Sequence, residues 1–392
     1  MGLPLQGLQV IDLSKDFAGP FCTMILSDLG AEVIKVEKPT TGDETRAWGP
    51  PFVKGTSSYF LSLNRGKKSI TLNLKTREAQ KIVRQLARDA DVFVESYRPR
   101  TVARFKLDYS SLRRVNRALV YCSISGFGQT GPYRDRPSYD IIGLAMSGIM
   151  STTGEEGRPP VRDSVPVADI AAGHYAATAI LAALARRLVK GVGDYIDVSL
   201  LDSIVSWLTY NATNYFATGI QPRRMGSAHP SIVPYQAFRC RDRNLIVAVG
   251  NDQQWRAFCE AVGLEALAVD ERFRTNPLRV RNRNALVPRI ARLFGKQKAN
   301  HWHKLLLERR VPAALVYTIR DVVEDPHLRK REMIVGRGRE LSHLAFPVRF
   351  RSKLGGTLSP APRLGAHNSI ILRELGYSSL DLDRLKRAGA LG

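Results

Sequence analysis

The sequence predicts an α/β fold: a large domain with a Rossmann-like parallel sheet, built from both chain ends, and a smaller α/β domain between them. Three observations predict it. Short apolar runs alternate with helix-period segments over the first 200 residues. The first such unit, 8–37, is a compact βαβ, so its strands should be parallel and its crossover right-handed. The composition changes near Gln221, and a second α/β pattern follows before the chain returns to the first. These define 1–225 as the first part of the large domain, 226–325 as the small domain and 326–392 as the return. The length of 392 residues suits one large domain or two.

In order, LQVIDL (Leu8 to Leu13) reads as a buried strand. Gly19 to Leu29 reads as a helix closed by Gly30, and EVIKVE (Glu32 to Glu37) as the next strand. The first turn is DLSKDFAGP, not G-x-G-x-x-G. A pyrophosphate cannot approach that helix closely, which argues against a dinucleotide site even though Glu37 ends the second strand. Further strands are expected at Ser69–Leu74, Asp91–Glu95, Leu119–Ile124 and Tyr195–Ser199. Helices are expected at Thr76–Asp89, Tyr139–Met150 and Leu201–Thr218. The loop SGFGQTGPY (Ser125 to Tyr133) lacks the Lys-Ser/Thr of a phosphate loop. In the small domain, Gly226 to Phe238 reads as a crossing segment. Strands at Leu245–Val249 and Ala314–Tyr317 then bracket helices at Gln253–Val262, Asn282–Phe294 and Asn300–Glu308. EMIVGR and FPVRF read as short strands, and PAPRLGAHNSIILRELG as a closing helix.

The composition excludes several classes. No apolar run reads as long enough to span a bilayer, and MGLPLQGLQV lacks a basic targeting region. Four widely spaced cysteines, Cys22, Cys122, Cys240 and Cys259, suggest no metal or redox pair and fit the cytosol. His301 and His303 are two apart on a helix and make a poor metal pair. His174, in an apolar helix, reads as a core residue. The net charge of +23 would suit nucleic acid, but the basic residues are scattered and lack interleaved aromatics. A non-catalytic nucleic-acid-binding protein is thus the alternative of a different class, and an anionic small ligand explains the charge as well.

The stretch from Arg158 to Leu188 stands out. Pro159, Pro160 and Pro166 bar a helix in its first part, and the second, from Ile170, is Ala- and Leu-rich at helical spacing. Asp169 lies at the junction. It reads either as a plain N-cap or as a carboxylate aimed at a ligand, and spacing alone does not choose.

Ordered blocks along almost the whole chain resemble the family III CoA-transferases, which include the formyl-CoA and carnitine enzymes. The blocks are VIDLSKDFAGPFCTMILSDLGAEVIKVE, GDETRAWGPP, SLNRGKKSITLNLK, DVFVESYRP, CSISGFGQTGPY, VADIAAGHYAA and PAPRLGAHNSIILRELG. The resemblance implies an interlinked homodimer and makes Asp169 the nucleophile. It implies CoA contacts at Phe17, Ala18, Lys38, Leu72, Leu74, Lys75, Ser96, Tyr97, Arg104 and Phe105. CoA is then a substrate, with no permanently bound cofactor and no metal.

Two departures narrow the expectation. The family's α-methylacyl-CoA racemase pairs the Asp with a His in a G-H-D-I block; here the block is Ser138-Tyr139-Asp140-Ile141, so one acid/base group is missing. The racemase reading is the alternative within enzymes. The glycine run of the formyl-CoA enzymes is also absent, which argues against formate and oxalate. WGPPFV, AHPSIVPYQAF and NPLRVRNR look most like the succinate–hydroxymethylglutarate branch. The expected reaction is therefore transfer of CoA from an acyl-CoA such as succinyl-CoA to a dicarboxylic or hydroxy-dicarboxylic acid, through a covalent intermediate on Asp169. The acid's second carboxylate needs a cation or several donors. Arg46, His229 and the Tyr139 hydroxyl are the candidates, with a local ion pair to Glu44 or Asp43 as the competing reading of Arg46 and a structural turn role as that of His229.

Overall fold

A computed structural model describes residues 2–336, 341–351 and 359–392. Six strands form one parallel sheet: β1 (Gln9–Leu13), β2 (Glu32–Glu37), β3 (Lys67–Thr71), β4 (Val92–Glu95), β5 (Val120–Ser125) and β6 (Tyr195–Ser199). Their order is β3-β2-β1-β4-β5-β6. Successive side chains of a strand face opposite layers, so β1 splits its residues. Val10 packs with the helices α1 (Ala18–Asp28) and α5 (Val167–Lys190). Ile11 and Leu13 pack with α3 (Arg77–Asp89), α10 (Asn368–Glu374) and α11 (Ser379–Arg387). Further helices are α2 (Ser58–Leu63), α4 (Asp140–Met146), α6 (Leu200–Val205), α7 (Asp252–Val262), α8 (Arg283–Phe294) and α9 (Ala299–Glu308).

The chain's end closes an open edge of the sheet. The backbone N–H of Ser69 donates to the His367 ring at 3.1 Å and that of Thr71 to Asn368 Oδ1 at 2.8 Å. An unpaired edge strand is thereby covered. The closing helix is only the second half of PAPRLGAHNSIILRELG, and α11 follows it.

Helix α5 is long and apolar enough to cross a bilayer by length and hydropathy, contrary to the sequence reading, with half of that stretch buried inside the protein. Ala172, Ala176 and Ile180 are buried in the same core as Cys22 and Leu26 of α1, so the apolar stripe is core surface.

The chain divides into two compact units: 1–149, 162–217 and 335–392 form the first, and 150–161 with 218–334 the second. The expected small domain, 226–325, lies inside the second unit. That unit takes in 150–161, where Gly226 N–H donates to Gly154 O at 2.8 Å and the Arg224 side chain packs at Gly154. Its sheet is antiparallel, in the order β9 (Ala313–Leu315), β8 (Asn244–Ala248), β7 (Tyr235–Arg239). The end of the expected crossing segment is thus a strand. Trp255 and Phe258 of α7, Phe294 of α8 and Trp302 of α9 stack into one core. Ile334–Val335 pairs with His343–Leu344, whereas FPVRF is not a strand; Arg337 of EMIVGR lies outside the described residues.

Candidate active site

A cavity of about 390 Å³ opens at the C-terminal ends of β1, β4 and β5. The chain leaves β1 toward β2 and β3 on one side and resumes at β4 on the other. This is the switch point where open parallel sheets form their crevice.

The turn after β1 builds one wall, and buried charges hold it. Asp12 accepts the Ser14 N–H at 2.9 Å and a short bond from the Ser14 hydroxyl. Lys35, fully buried in β2, donates to Ser14 O at 2.8 Å and lies 2.9 Å from Asp43. Burial works against the Lys35 charge, but Asp43, Asp12 and Glu37 outweigh it and keep the ammonium protonated. The Lys15 N–H donates to Ser96 Oγ at 2.9 Å. Asp16 is held at φ +68°, a left-handed conformation uncommon for a non-glycine residue. With these anchors, Phe17 and Ala18 are set at the cavity, at the start of α1. No side chain caps that helix start.

Asp169 lies on the opposite wall, in the first turn of α5, and is not the N-cap. Asp140 performs the capping instead. Its Oδ1 accepts the Ala168 N–H at 2.8 Å and the Asp169 N–H at 3.4 Å. One carboxylate thus satisfies the helix start, and the other points no bond at it. Gly173, one turn on, brings α5 onto α1: a Cβ there would meet Ala18 O and the Phe21 ring at 2.8 Å. Aromatic rings complete the wall. Tyr59 packs on Phe17 and Trp48 with centroids 5.9 and 5.2 Å apart, and Phe21 packs on His174 at 5.1 Å. His174 is exposed rather than a core residue, with Nδ1 3.0 Å from Ile170 O.

This surrounding raises the Asp169 carboxyl to about 8, through burial first, then the Asp140 and Asp16 charges. Two buried polar atoms of cavity-lining residues, Asp16 Oδ1 and Ser125 Oγ, have no hydrogen-bond partner. Such atoms are costly unless a ligand satisfies them.

The structure brings together Phe17, Ala18, Ser96, Tyr139 and Asp169 of the expected site residues. Lys38, Leu74, Lys75 and Tyr97 follow β2, β3 and β4 along the same sheet edge, and Arg104 and Phe105 lie in a short turn at 102–105. Leu72 is a correction: it is buried in the core, its N–H donates to Glu37 O at 2.8 Å and it pairs with Leu391. Arg46 is a second. Its guanidinium grips Glu37 with both arms, at 2.8 and 2.7 Å, and stacks on Phe60. That bidentate pair occupies the fork a substrate carboxylate would need, and Glu37, not Glu44 or Asp43, is the partner. His229 is a third: it belongs to the second unit, accepts the Ser231 N–H at 3.0 Å and does not line the cavity. Lys15, Asp16, Tyr59, Ser125, Asp140 and Arg162 line the cavity without having been singled out. The one available signal was polar residues immediately after strand ends, as in DLSKD and SISG.

Residues 5–368 match the family model described as CoA-transferase family III. The chain is 41% identical over 397 residues to the mouse succinyl-CoA:glutarate CoA-transferase, covering 99% of this chain and 90% of that protein. It is 41% identical over 387 residues to the succinate–glutarate CoA-transferase of Agrobacterium fabrum, covering 95% and 96%. Among solved structures, a CAIB/BAIF family protein from Brucella suis superposes with a TM-score of 0.87 at 42% identity, over 96% of this chain and 100% of that one.

Proposed function

The chain belongs to CoA-transferase family III, and on that premise we propose that it moves CoA from succinyl-CoA to a short dicarboxylic acid, glutarate foremost, through a covalent intermediate on Asp169. The observation that carries the covalent step is the desolvated Asp169 carboxylate facing the Phe17–Ala18 turn across one small cavity. Glutarate and succinyl-CoA are in the names of the relatives just given.

The chemistry follows from the walls. Ionised Asp169 attacks the thioester carbonyl and expels CoA thiolate, forming a mixed anhydride. The retained thiolate attacks the aspartyl carbonyl and releases succinate, leaving an aspartyl-CoA thioester. The acceptor carboxylate attacks that thioester and again expels the thiolate. The thiolate then takes the new acyl group and frees Asp169. Each tetrahedral intermediate needs oxyanion donors, and the start of α1, which no side chain caps and where Phe17 and Ala18 line the cavity, is the candidate source. CoA lies along the edge marked by Lys38, Lys75, Tyr97 and Arg104. The Lys38 and Arg104 charges suit its phosphates, and Tyr97 its adenine.

Because the free enzyme's Asp169 titrates near 8, kcat/KM for succinyl-CoA should rise with pH and level off only above about 8. A pH-rate profile flat from 5 to 9 would contradict an Asp169 nucleophile in this environment. The substrate reading is tested with succinyl-CoA and paired acceptors, read by mass spectrometry of the acyl-CoA products. Glutarate should be used far better than butyrate; equal use of both would end the dicarboxylate reading.

The protein is also proposed to work as an interlinked homodimer in the cytosol. Exposed apolar side chains at Tyr175, Leu188, Val189, Trp207 and Phe216 support a covered surface. Four free, buried cysteines support a reducing compartment.

A further inference from the structure

A dicarboxylic acid reacts through one carboxylate and brings the other, still ionised, into the same cavity. A second charge held there needs a cation or several donors. The cavity walls carry three carboxylates, Asp16, Asp140 and Asp169, and two cations, Lys15 and Arg162. Lys15 is committed, with its Nζ 3.4 Å from Glu44 and 4.0 Å from Asp16. Arg46 is outside the walls and gripped by Glu37. Arg162 differs from both. Among the described residues its guanidinium makes no hydrogen bond and no ion pair, and it acts on Asp140 only through space. It stands seven residues before Asp169, in the segment that leads through Pro166 into α5. The segment before Pro166 stays out of the helix and bends at Ser164–Val165, and from it the exposed Arg162 side chain reaches the cavity wall. A cavity of about 390 Å³ is at the small end for ligand sites, which suits an acid short enough to touch both groups.

We propose that Arg162 is the specificity-determining residue for the acid: its guanidinium takes the carboxylate that does not react and leaves the other facing Asp169. This rests on the CoA-transfer reading above and adds a residue to it. A planar fork with unused donors matches a carboxylate bidentately, whereas an ammonium offers only a point charge.

The test uses the full chain with saturating succinyl-CoA, glutarate or butyrate as acceptor, and the variants Arg162→Gln and Arg162→Lys. Retention of the variants on immobilised CoA checks that they are folded. Arg162→Gln should lower kcat/KM for glutarate about 10- to 100-fold and leave butyrate within about threefold, because only the diacid loses a charge partner. Arg162→Lys should fall between. Equal losses for the two acids, or none for either, overturn the proposal and assign Arg162 to the support of Asp140 or to the surface. The unmodified enzyme separates the two levels. If it shows no preference for glutarate, the dicarboxylate reading fails and this proposal with it. If it prefers glutarate and Arg162→Gln keeps that preference, only Arg162 is eliminated.

Discussion

Replacing Asp169 by Ala or Asn should lower CoA transfer at least about 10⁴-fold, the scale of removing a nucleophile that nothing else in the site can replace. Asp140 and Asp16 do not substitute for it. Asp140 is bonded to the start of α5, and Asp16 belongs to the wall made by the β1 turn. The fold should survive, since the Asp169 carboxylate caps nothing. Stability should even improve at high pH. The folded protein holds a proton on Asp169 up to about 8, against an ordinary value of 3.8. A raised carboxyl stabilises the folded state fully below the unfolded value and loses that contribution as pH rises through the folded one. The wild type should therefore lose stability between about pH 4 and 8, and Asp169→Asn should lack that part of the decline. Hydroxylamine should inactivate the wild type only with acyl-CoA present, by trapping the activated aspartyl group. Turnover by Asp169→Ala within tenfold of the wild type would end the covalent mechanism.

Lys35→Met should cost about 3–5 kcal/mol of stability, the range for removing one partner of a buried ion pair. Lys35 and Asp43 are both almost completely buried, and the same ammonium donates to Ser14 O. Without it Asp43 and Asp12 keep their charge and the Ser14 carbonyl loses its donor. Met fills the volume, so the loss reports the charge and not a cavity. Urea unfolding measures it. Adding Asp43→Asn to Lys35→Met should recover part of the loss, because the orphaned charge is then gone. A loss under about 1 kcal/mol for the single variant would mean that the pair is dispensable. At sublethal urea the KM for acyl-CoA should also rise, since Ser14 begins the turn that sets Phe17 and Ala18.

Much of this was legible in the chain. The alternation of apolar runs and helix-period segments names all six parallel strands within a few residues, because period-two and period-3.6 patterns are local properties. The family blocks single out Asp169 among 36 acidic residues. Some elements escaped for local reasons as well. The strand Tyr235–Arg239 follows a Pro- and Ser-containing stretch that reads as coil, and α11 is a polar helix whose only buried side chains are Leu382 and Leu385.

The site's electrostatics were not legible, since they depend on which distant residues meet. Lys35 sits inside EVIKVE like any strand residue, and only the fold shows it buried between Asp43 and Asp12. Arg46 lies among nearby acids in GDETRAWGPP, and the sheet brings it to Glu37 instead. Spacing left Asp169 open between a cap and a carboxylate aimed at a ligand, and only the fold shows Asp140, 29 positions earlier, in the capping role. Sequence by itself determined the α/β pattern, because it is carried by contiguous residues, and through the family blocks it pointed to Asp169 as the candidate nucleophile. Tertiary structure decided that this carboxylate is largely buried and shares a cavity with Asp16, Asp140, Lys15 and Arg162. Coulomb energy and desolvation depend on separation in space and on burial, and neither quantity is a function of position along the chain.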